Sequence, residues 1–540
     1  MATSSDPTEL GASPVDVVSA YHGRTKHRAD GFAAGPTSVD WDTQPAASRR
    51  YIGAPEIALP LVYELPGGSP GAAALAGQLT APLRAPAQIV TWDLWVLGAF
   101  LHLALGVTGE RGIGGERWSV RANPSSGNLH PIEAYVLARG LCFVPDGVYH
   151  YDPEAHVLER VAHWSIAPEA HEQGLAVALT SLPARETWKY GERALRYVQL
   201  DAGHALGALQ LAAEAFGANL REVAEVRGAR LAACLGLPQA GGALEEPEVL
   251  VAVGHQSLPA IVGARGPAFG SQPSWGGFTP TPVVEPLERQ WPVVVQACEA
   301  SRAPATTLEA QGLGTLPRLR RGTDARLVLK STRSVGEVLL GRRSARRFDS
   351  GHELKQSQLQ AVASGMLERT LALRQTFGKD AAVQCILMVQ RVAGLASGFY
   401  GLSELLHLDG ASWASQAGAP VPGLPLQCIA EVDRKVLKRW ARESYCRQDV
   451  ASCSSLGITF LAPLLAAVQQ HPHAYRALHR QAGWLGQYLY FLAEAQGLQG
   501  TGVGCFLDDE VSCYLPAAQG QYQVLYHFAL GCERGRPGVR

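Results

Sequence analysis

The sequence has almost no excess of charge of either sign: 47 Lys and Arg stand against 48 Asp and Glu in 540 residues, a formal net charge of −1. That balance supplies no global field to draw in nucleic acid or an anionic membrane, so neither is expected as a partner. Ten cysteines are present, yet there is no CxxC pair and no tight Cys/His cluster along the sequence. Zinc-type ligand spacing and a disulfide scaffold are both missing; no metal is expected, and reduced thiols in a cytoplasmic protein fit better. The opening residues MATSSDPTEL have neither the basic nor the apolar region of a signal peptide. Long apolar runs are absent too. The stretch Ile89 to Val107 carries Asp93 and His102, and Leu456 to Val468 is broken by Pro463, so both read as buried core helices rather than membrane spans. No GxGxxG follows a strand, since GERGIGGER at 109–117 has the wrong spacing, which disfavours a Rossmann dinucleotide site. A GxSxG nucleophile elbow is also missing.

What is present is a globular composition, 47% hydrophobic and 18% charged, on a chain long enough for two or more domains. The strongest pattern is internal. RYVQLDAGHALGALQLAAEAFG from Arg196 to Gly217 and RALHRQAGWLGQYLYFLAEAQG from Arg476 to Gly497 align at a constant offset. They share Arg196/Arg476, Gly203/Gly483, Leu209/Leu489, Glu214/Glu494 and Gly217/Gly497. Both are apolar and proline-free, and both end at glycine, the pattern of a buried helix with a C-terminal stop. Gly147-Val148-Tyr149 precedes the first and Gly398-Phe399-Tyr400 the second; strand-like runs to Gly254 and Gly531 follow. Three matches in one order indicate a duplication. Between the halves, His255 to Thr323 is rich in Pro and Gly and reads as an extended connector rather than a packed element. Each half mixes strand runs such as AYVLAR (134–139) with long helices, so the class is α+β or α/β, and α+β is the one expected.

Four segments carry candidate chemistry. Arg121, Pro124, Ser125, Ser126, Gly127 and Asn128 lie just before the strand at Ala134. Their hydroxyls and amide suit the carbonyls and N3 of a flat heterocycle, although Ser-Ser-x-Asn is equally good helix-capping chemistry. Arg342, Arg343, Ser344 and Arg346 concentrate cations around a serine, as a phosphate dianion requires, whereas the bland alternative is a solvated basic face. Gly502, Val503 and Gly504 let backbone N–H groups approach a ligand, or form a plain loop. Lys189 and Tyr190 offer a general base and an acid if burial shifts them, or are a surface lysine beside a packed tyrosine.

At these segments the chain resembles the nitroreductase-like flavoproteins, and within them the SagB/ThcOx-type dehydrogenases. Arg342-Arg343-Ser344-x-Arg346 resembles the segment that holds the FMN phosphate, with Arg540 similar in position to a terminal basic residue that assists it. Pro124-Ser125-Ser126-x-Asn128 resembles the loop placed on the flavin ring, and Thr501 to Gly504 the backbone facing N5. Lys189-Tyr190-Gly191-x-Arg193 is similar to the catalytic Lys-Tyr motif of azoline-oxidising members. The resemblance implies an N-terminal extension over 1–80, a nitroreductase-like domain over 81–255, a connector over 256–323 and a second such domain over 324–540, paired as an intrachain pseudo-dimer. It implies an FMN-dependent oxidoreductase with hydride transfer at N5, acting on peptide azolines or another small-molecule or peptide substrate beside biosynthetic partner enzymes. An NAD(P)H-dependent nitro- or quinone reductase and a non-catalytic scaffold are the rival readings. The first half has only His22-Gly23-Arg24-Thr25-Lys26 where an RRSxR segment would stand, and the second has GKDAAVQCILMV (378–389) where the PSxxN loop would stand. One composite site per chain is therefore expected.

Overall fold

The computed structural model describes residues 12–80, 91–113, 115–163, 174–224, 226–237, 245–254, 274–282, 290–304, 314–317, 330–408, 418–510 and 522–535. In the first half, helix α1 (Leu94–Leu105) leads into strands β1 (Ile132–Arg139), β2 (Gly147–Asp152), β3 (Val157–His163) and β4 (Gly174–Ser181). Helices α2 (Pro183–Tyr190) and α3 (Ala194–Ala215) and strands β5 (Leu220–Glu222) and β6 (Glu246–Val253) complete it. The second half repeats that order. Helix α4 (Gln356–Phe377) precedes β7 (Gln384–Val389), β8 (Gly398–Leu402), β9 (Leu426–Glu431) and β10 (Leu456–Ala462). Then come α5 (Leu464–Gln470), α6 (Ala474–Ala495), β11 (Gln499–Val503) and β12 (Gln523–Gly531).

The sheets match strand for strand. The first runs β3-β2-β1-β4-β6-β5 and the second β9-β8-β7-β10-β12-β11, with every neighbouring pair antiparallel. The first sheet adds Glu56–Ala58 and Ser274–Trp275, both pairing with β3.

Helices α3 and α6 are each 22 residues long and buried along almost their whole length, polar side chains such as Arg196, Asp201, Arg476 and Gln481 included. They pack directly on each other. A Cβ at Gly203 would lie 2.1 Å from the Arg480 carbonyl oxygen, and one at Gly483 would lie 2.0 Å from that of Leu200. Glycine at these two equivalent positions lets the backbones touch. The two sheets pack outside this helical pair, and one continuous apolar core joins both halves. Smaller clusters cover the far faces of the first and second sheets.

Two expectations are corrected. Leu456 to Val468 is not one helix: β10 occupies Leu456–Ala462, and α5 begins after Pro463. Ile458, Thr459 and Phe460 favour a strand, and proline, lacking an N–H, ends the ladder there. The connector is not uniformly extended either. Pro292–Ala300 is a helix that buries Val294, Ala297 and Cys298 and packs against the N-terminal helix Pro14–Arg24. Its short VVVQAC run supplies enough apolar surface to dock. Among the described residues no helix is long and apolar enough to cross a membrane.

Candidate active site

The loop before β1 is built on unusual backbone. Gly127, Asn128 and His130 have φ of 62°, 60° and 48°, left-handed values that non-glycine residues adopt at a cost. The loop is held by Asp201 on α3. Ser125 Oγ donates to Asp201 at 2.5 Å, Ser126 Oγ donates at 3.1 Å, and Ser126 N donates at 3.1 Å. Ser125 Oγ also accepts from the His130 N–H at 2.9 Å, so the serines do not cap a helix. Burial raises the Asp201 pKa to about 7 against the opposing effect of these donors.

Gly127 itself is exposed, and a Cβ there would meet the Tyr190 hydroxyl at 2.9 Å and Lys189 Nζ at 3.2 Å. Glycine thus leaves the Lys189 and Tyr190 heads open beside the loop. Both come from the C-terminal turn of α2, which the left-handed Gly191 ends. Burial lowers the Lys189 pKa, opposed by the charge of Glu186, and burial raises that of Tyr190 well above the usual phenol value. Glu186 is itself fully buried, with no hydrogen-bond partner for either carboxyl oxygen. Its pKa is raised by burial and then by Asp201.

The second half closes the site from the other side. The Tyr190 ring packs 4.3 Å from that of Tyr197, and a Cβ on Gly504 would fall 2.3 Å from the Tyr197 ring. A Cβ on Gly502 would overlap the Tyr526 hydroxyl at 1.6 Å. Gly502 N donates to Tyr490 Oη at 3.0 Å, and that hydroxyl meets Ser344 Oγ at 2.8 Å. Arg342 is buried; its Nε donates to the Ala122 carbonyl at 2.5 Å and its Nη2 to the Arg121 carbonyl at 2.7 Å. Its guanidinium lies 5.1 Å from the centre of the Tyr490 ring. All these partners are neutral, and burial pulls its pKa down to about 10. A buried cation whose hydrogen bonds go only to neutral groups suits an incoming anion.

Not every expected residue faces this space. Arg121 sends its guanidinium to the Ala47 carbonyl at 2.7 Å, contributing only its backbone oxygen. The Asn128 amide is engaged inside the loop, donating to Ser119 O at 3.1 Å and meeting His130 Nε2 at 3.2 Å. Arg343 turns to the hairpin formed by Val107–Ile113 and Glu116–Arg121, binding Thr108 Oγ1 at 3.0 Å. Arg346 is exposed and lies 5.4 Å over the Trp118 ring of that hairpin. The Val503 side chain joins the apolar cluster on the far face of the second sheet. Pro124 is half-buried in the loop, and Arg540 lies outside the described residues.

Sequence reasoning missed Tyr197, Asp201 and His204, which stand at i, i+4 and i+7 on one face of α3. His204 Nε2 meets Tyr526 Oη at 2.9 Å. The available signal was the repeat: the equivalent positions in α6 are Ala477, Gln481 and Trp484, so the tyrosine, the carboxylate and the imidazole appear on only one copy. The same offset puts Gln469 and Gln470 of α5 where α2 has Lys189 and Tyr190.

Residues 96–255 match the family model described as the Nitroreductase family. A protein of Methanocaldococcus jannaschii described as a nitroreductase is 33% identical over 131 residues, 22% of this chain and 63% of that protein. The trifolitoxin-processing protein TfxF of Rhizobium leguminosarum bv. trifolii is 30% identical over 126 residues, 23% of this chain and 45% of that protein. The chain thus spans less than two thirds of the length of either relative. Among solved structures, a protein of Anabaena variabilis described as a nitroreductase has the same fold, with a TM-score of 0.65 at 21% identity, covering 96% of this chain and 99% of that one. Residues 96–255 are therefore a nitroreductase-family domain, set in a fold shared along nearly the whole chain.

Proposed function

We propose that the chain is an FMN-dependent oxidoreductase with one composite site, its two halves paired as an intrachain pseudo-dimer. The observation that carries this reading is the convergence of four distant segments around the first turns of α3. Gly127 lies against Lys189 and Tyr190, the Tyr197 ring separates Tyr190 from Gly504, and Arg342 hydrogen-bonds the backbone at Arg121 and Ala122. The residues present fit FMN. Arg342 and Ser344 would hold its phosphate, the Ser125–Asn128 loop its ring, and the bare backbone at Gly502 and Gly504 leaves room for a flat ligand. FMN, when bound, supplies a two-electron acceptor for a hydride.

Among the described residues, groups that an equivalent second site would use are already engaged within the protein. Gln481, standing where α3 has Asp201, donates to the Gly314 carbonyl at 2.9 Å and to that of Ala381 at 3.0 Å, and accepts from Val383 N at 3.0 Å. The divergent Arg24 and Lys26 are neutralised within the protein, pairing with Glu192 and Asp509 at 2.6 Å each.

The substrate class follows from Lys189 and Tyr190. A lysine whose pKa is lowered by burial can take a proton from carbon, while a tyrosine held protonated can orient a ring heteroatom. That pairing fits oxidation of a peptide thiazoline or oxazoline to an azole, and the name of the trifolitoxin-processing relative is compatible with peptide substrates and partner enzymes. Steady-state assays on a thiazoline peptide test it. Lys189→Ala should lower kcat by about 100-fold or more while FMN stays bound, and Tyr190→Phe should lower it less. Unchanged turnover in both would remove these residues from the chemistry. Flavin bleaching by NADPH in stopped flow, with no azoline oxidation, would instead favour a nitro- or quinone reductase.

A further inference from the structure

Three remote segments are tied together beside Tyr197. Asp508 N donates to the His27 carbonyl at 3.0 Å, His27 N donates to Asp508 Oδ2 at 2.8 Å, and Leu507 N donates to the Ser444 carbonyl at 2.7 Å. Gln448 Nε2 adds a bond to the Cys505 carbonyl at 3.3 Å. This framework gathers Cys446, Cys505 and His27, which are far apart in sequence. The Cys505 sulfur is within hydrogen-bonding reach of both the Cys446 thiol and the His27 ring. Both cysteines are free and partly exposed. Cys446 and its neighbour Arg447 hold φ of 51° and 59°, left-handed values that non-glycine residues adopt at a cost.

The His27 tautomer is set by the backbone. Ala33 N donates to Nδ1 at 3.0 Å, so in the neutral ring the proton sits on Nε2, the nitrogen left to donate to sulfur. The hydrogen bond from Cys446 is the largest influence lowering the Cys505 pKa to about 5, against burial, with His27 and Arg193 helping. Cys446 is driven the other way, first by that same hydrogen bond. The remaining ionisable groups around the pair are Tyr190, Tyr197 and Asp508. Two free thiols beside an imidazole, with the thiolate favoured on one of them, form the arrangement that thiol–disulfide exchange uses.

We propose that Cys505 and Cys446 form a thiol–disulfide exchange site, served by His27, for low-molecular-weight disulfides. The Cys505 thiolate attacks one sulfur of RS–SR, forming Cys505–S–SR and releasing RS⁻. Cys446 then loses its proton to the departing thiolate and attacks the Cys505 sulfur, displacing the second RS⁻ and closing the Cys446–Cys505 disulfide. Two electrons pass from the protein to RSSR, which leaves as two RSH once the second thiolate takes a proton from solvent. Excess RSH reverses the sequence.

The test uses the full chain, reduced and then exposed to oxidised glutathione, with thiol counting and peptide mapping. The expected result is loss of two thiols, a linked Cys446–Cys505 peptide, and a glutathione adduct on Cys505 that accumulates only in Cys446→Ser. Cys505→Ser should give neither product. Independently of any variant, Cys505 in the native protein should alkylate with iodoacetamide at pH 6 about tenfold or more faster than the exposed Cys142. Equal alkylation rates, or a Cys505 adduct in the native protein that Cys446 does not resolve, would overturn the proposal.

Discussion

At the scale of single residues, the carboxyl of Asp201 determines how the loop responds to pH. Its folded pKa of about 7 stands above the unfolded value of about 3.9. Between those values the folded state binds the extra proton, so stability is highest below the unfolded pKa and falls as pH rises towards 7. Above pH 7 the buried charge costs on the order of a few kcal/mol. Asp201→Asn removes that charge and keeps one acceptor for the serines. Its urea midpoint should change less than the parent's between pH 5 and pH 8, and should exceed the parent's at pH 8. An unchanged slope would place the titration elsewhere. Arg342 makes the complementary prediction. Arg342→Ala should weaken FMN binding roughly 10- to 100-fold, the worth of a charge-assisted hydrogen bond, as read by fluorescence titration. Arg342→Lys should recover only part of it, because a single ammonium cannot replace the forked donor. Ser125, Ser126, Arg342 and Lys189 were visible in the sequence because they stand in compact polar motifs. Asp201 was not, since one acid in a long apolar helix has no local pattern; its significance comes from a loop 75 residues away.

At the scale of elements, the repeated helices were the most legible feature. Their apolar, proline-free sequences and terminal glycines located them to within two residues: the segments from Arg196 to Gly217 and from Arg476 to Gly497 correspond to helices Ala194–Ala215 and Ala474–Ala495. Their mutual crossing is a tertiary fact. Nothing local distinguishes Gly203 from any helical glycine, yet its missing Cβ lets the Arg480 carbonyl approach. Gly203→Ala should force the helices apart and cost roughly 1–3 kcal/mol of stability or more, seen as a lowered urea midpoint. Gly217→Ala, at the left-handed C-terminus of α3 with φ 73°, should destabilise through backbone strain instead, without disturbing the crossing. The strand–helix split at Pro463 was misread because short apolar runs look alike in both states until pairing partners are known. The helix Pro292–Ala300 was missed for a related reason: the surrounding Pro and Gly content hid a short run whose stability comes from docking.

At the scale of the whole molecule, the two halves share a strand order and a helix pair but differ in the side chains they bring to equivalent places. The first half presents the Ser125–Asn128 loop, Lys189, Tyr190 and Asp201, and the second presents Arg342, Ser344 and the backbone at Gly502 and Gly504. Gln469, Gln470 and Gln481 stand at the mirrored positions of Lys189, Tyr190 and Asp201, and Gln481 is already hydrogen-bonded to the chain's own backbone. A division of labour between once-similar halves therefore predicts a single flavin per chain rather than two. The most direct measurement is the flavin-to-protein ratio of the purified chain saturated with FMN, from its visible absorbance and a quantitative amino-acid analysis. One FMN per chain, lost in parallel when either Arg342 or the Ser125–Ser126 pair is replaced by alanine, is the predicted result. Two FMN per chain, or none at saturating FMN, would contradict it.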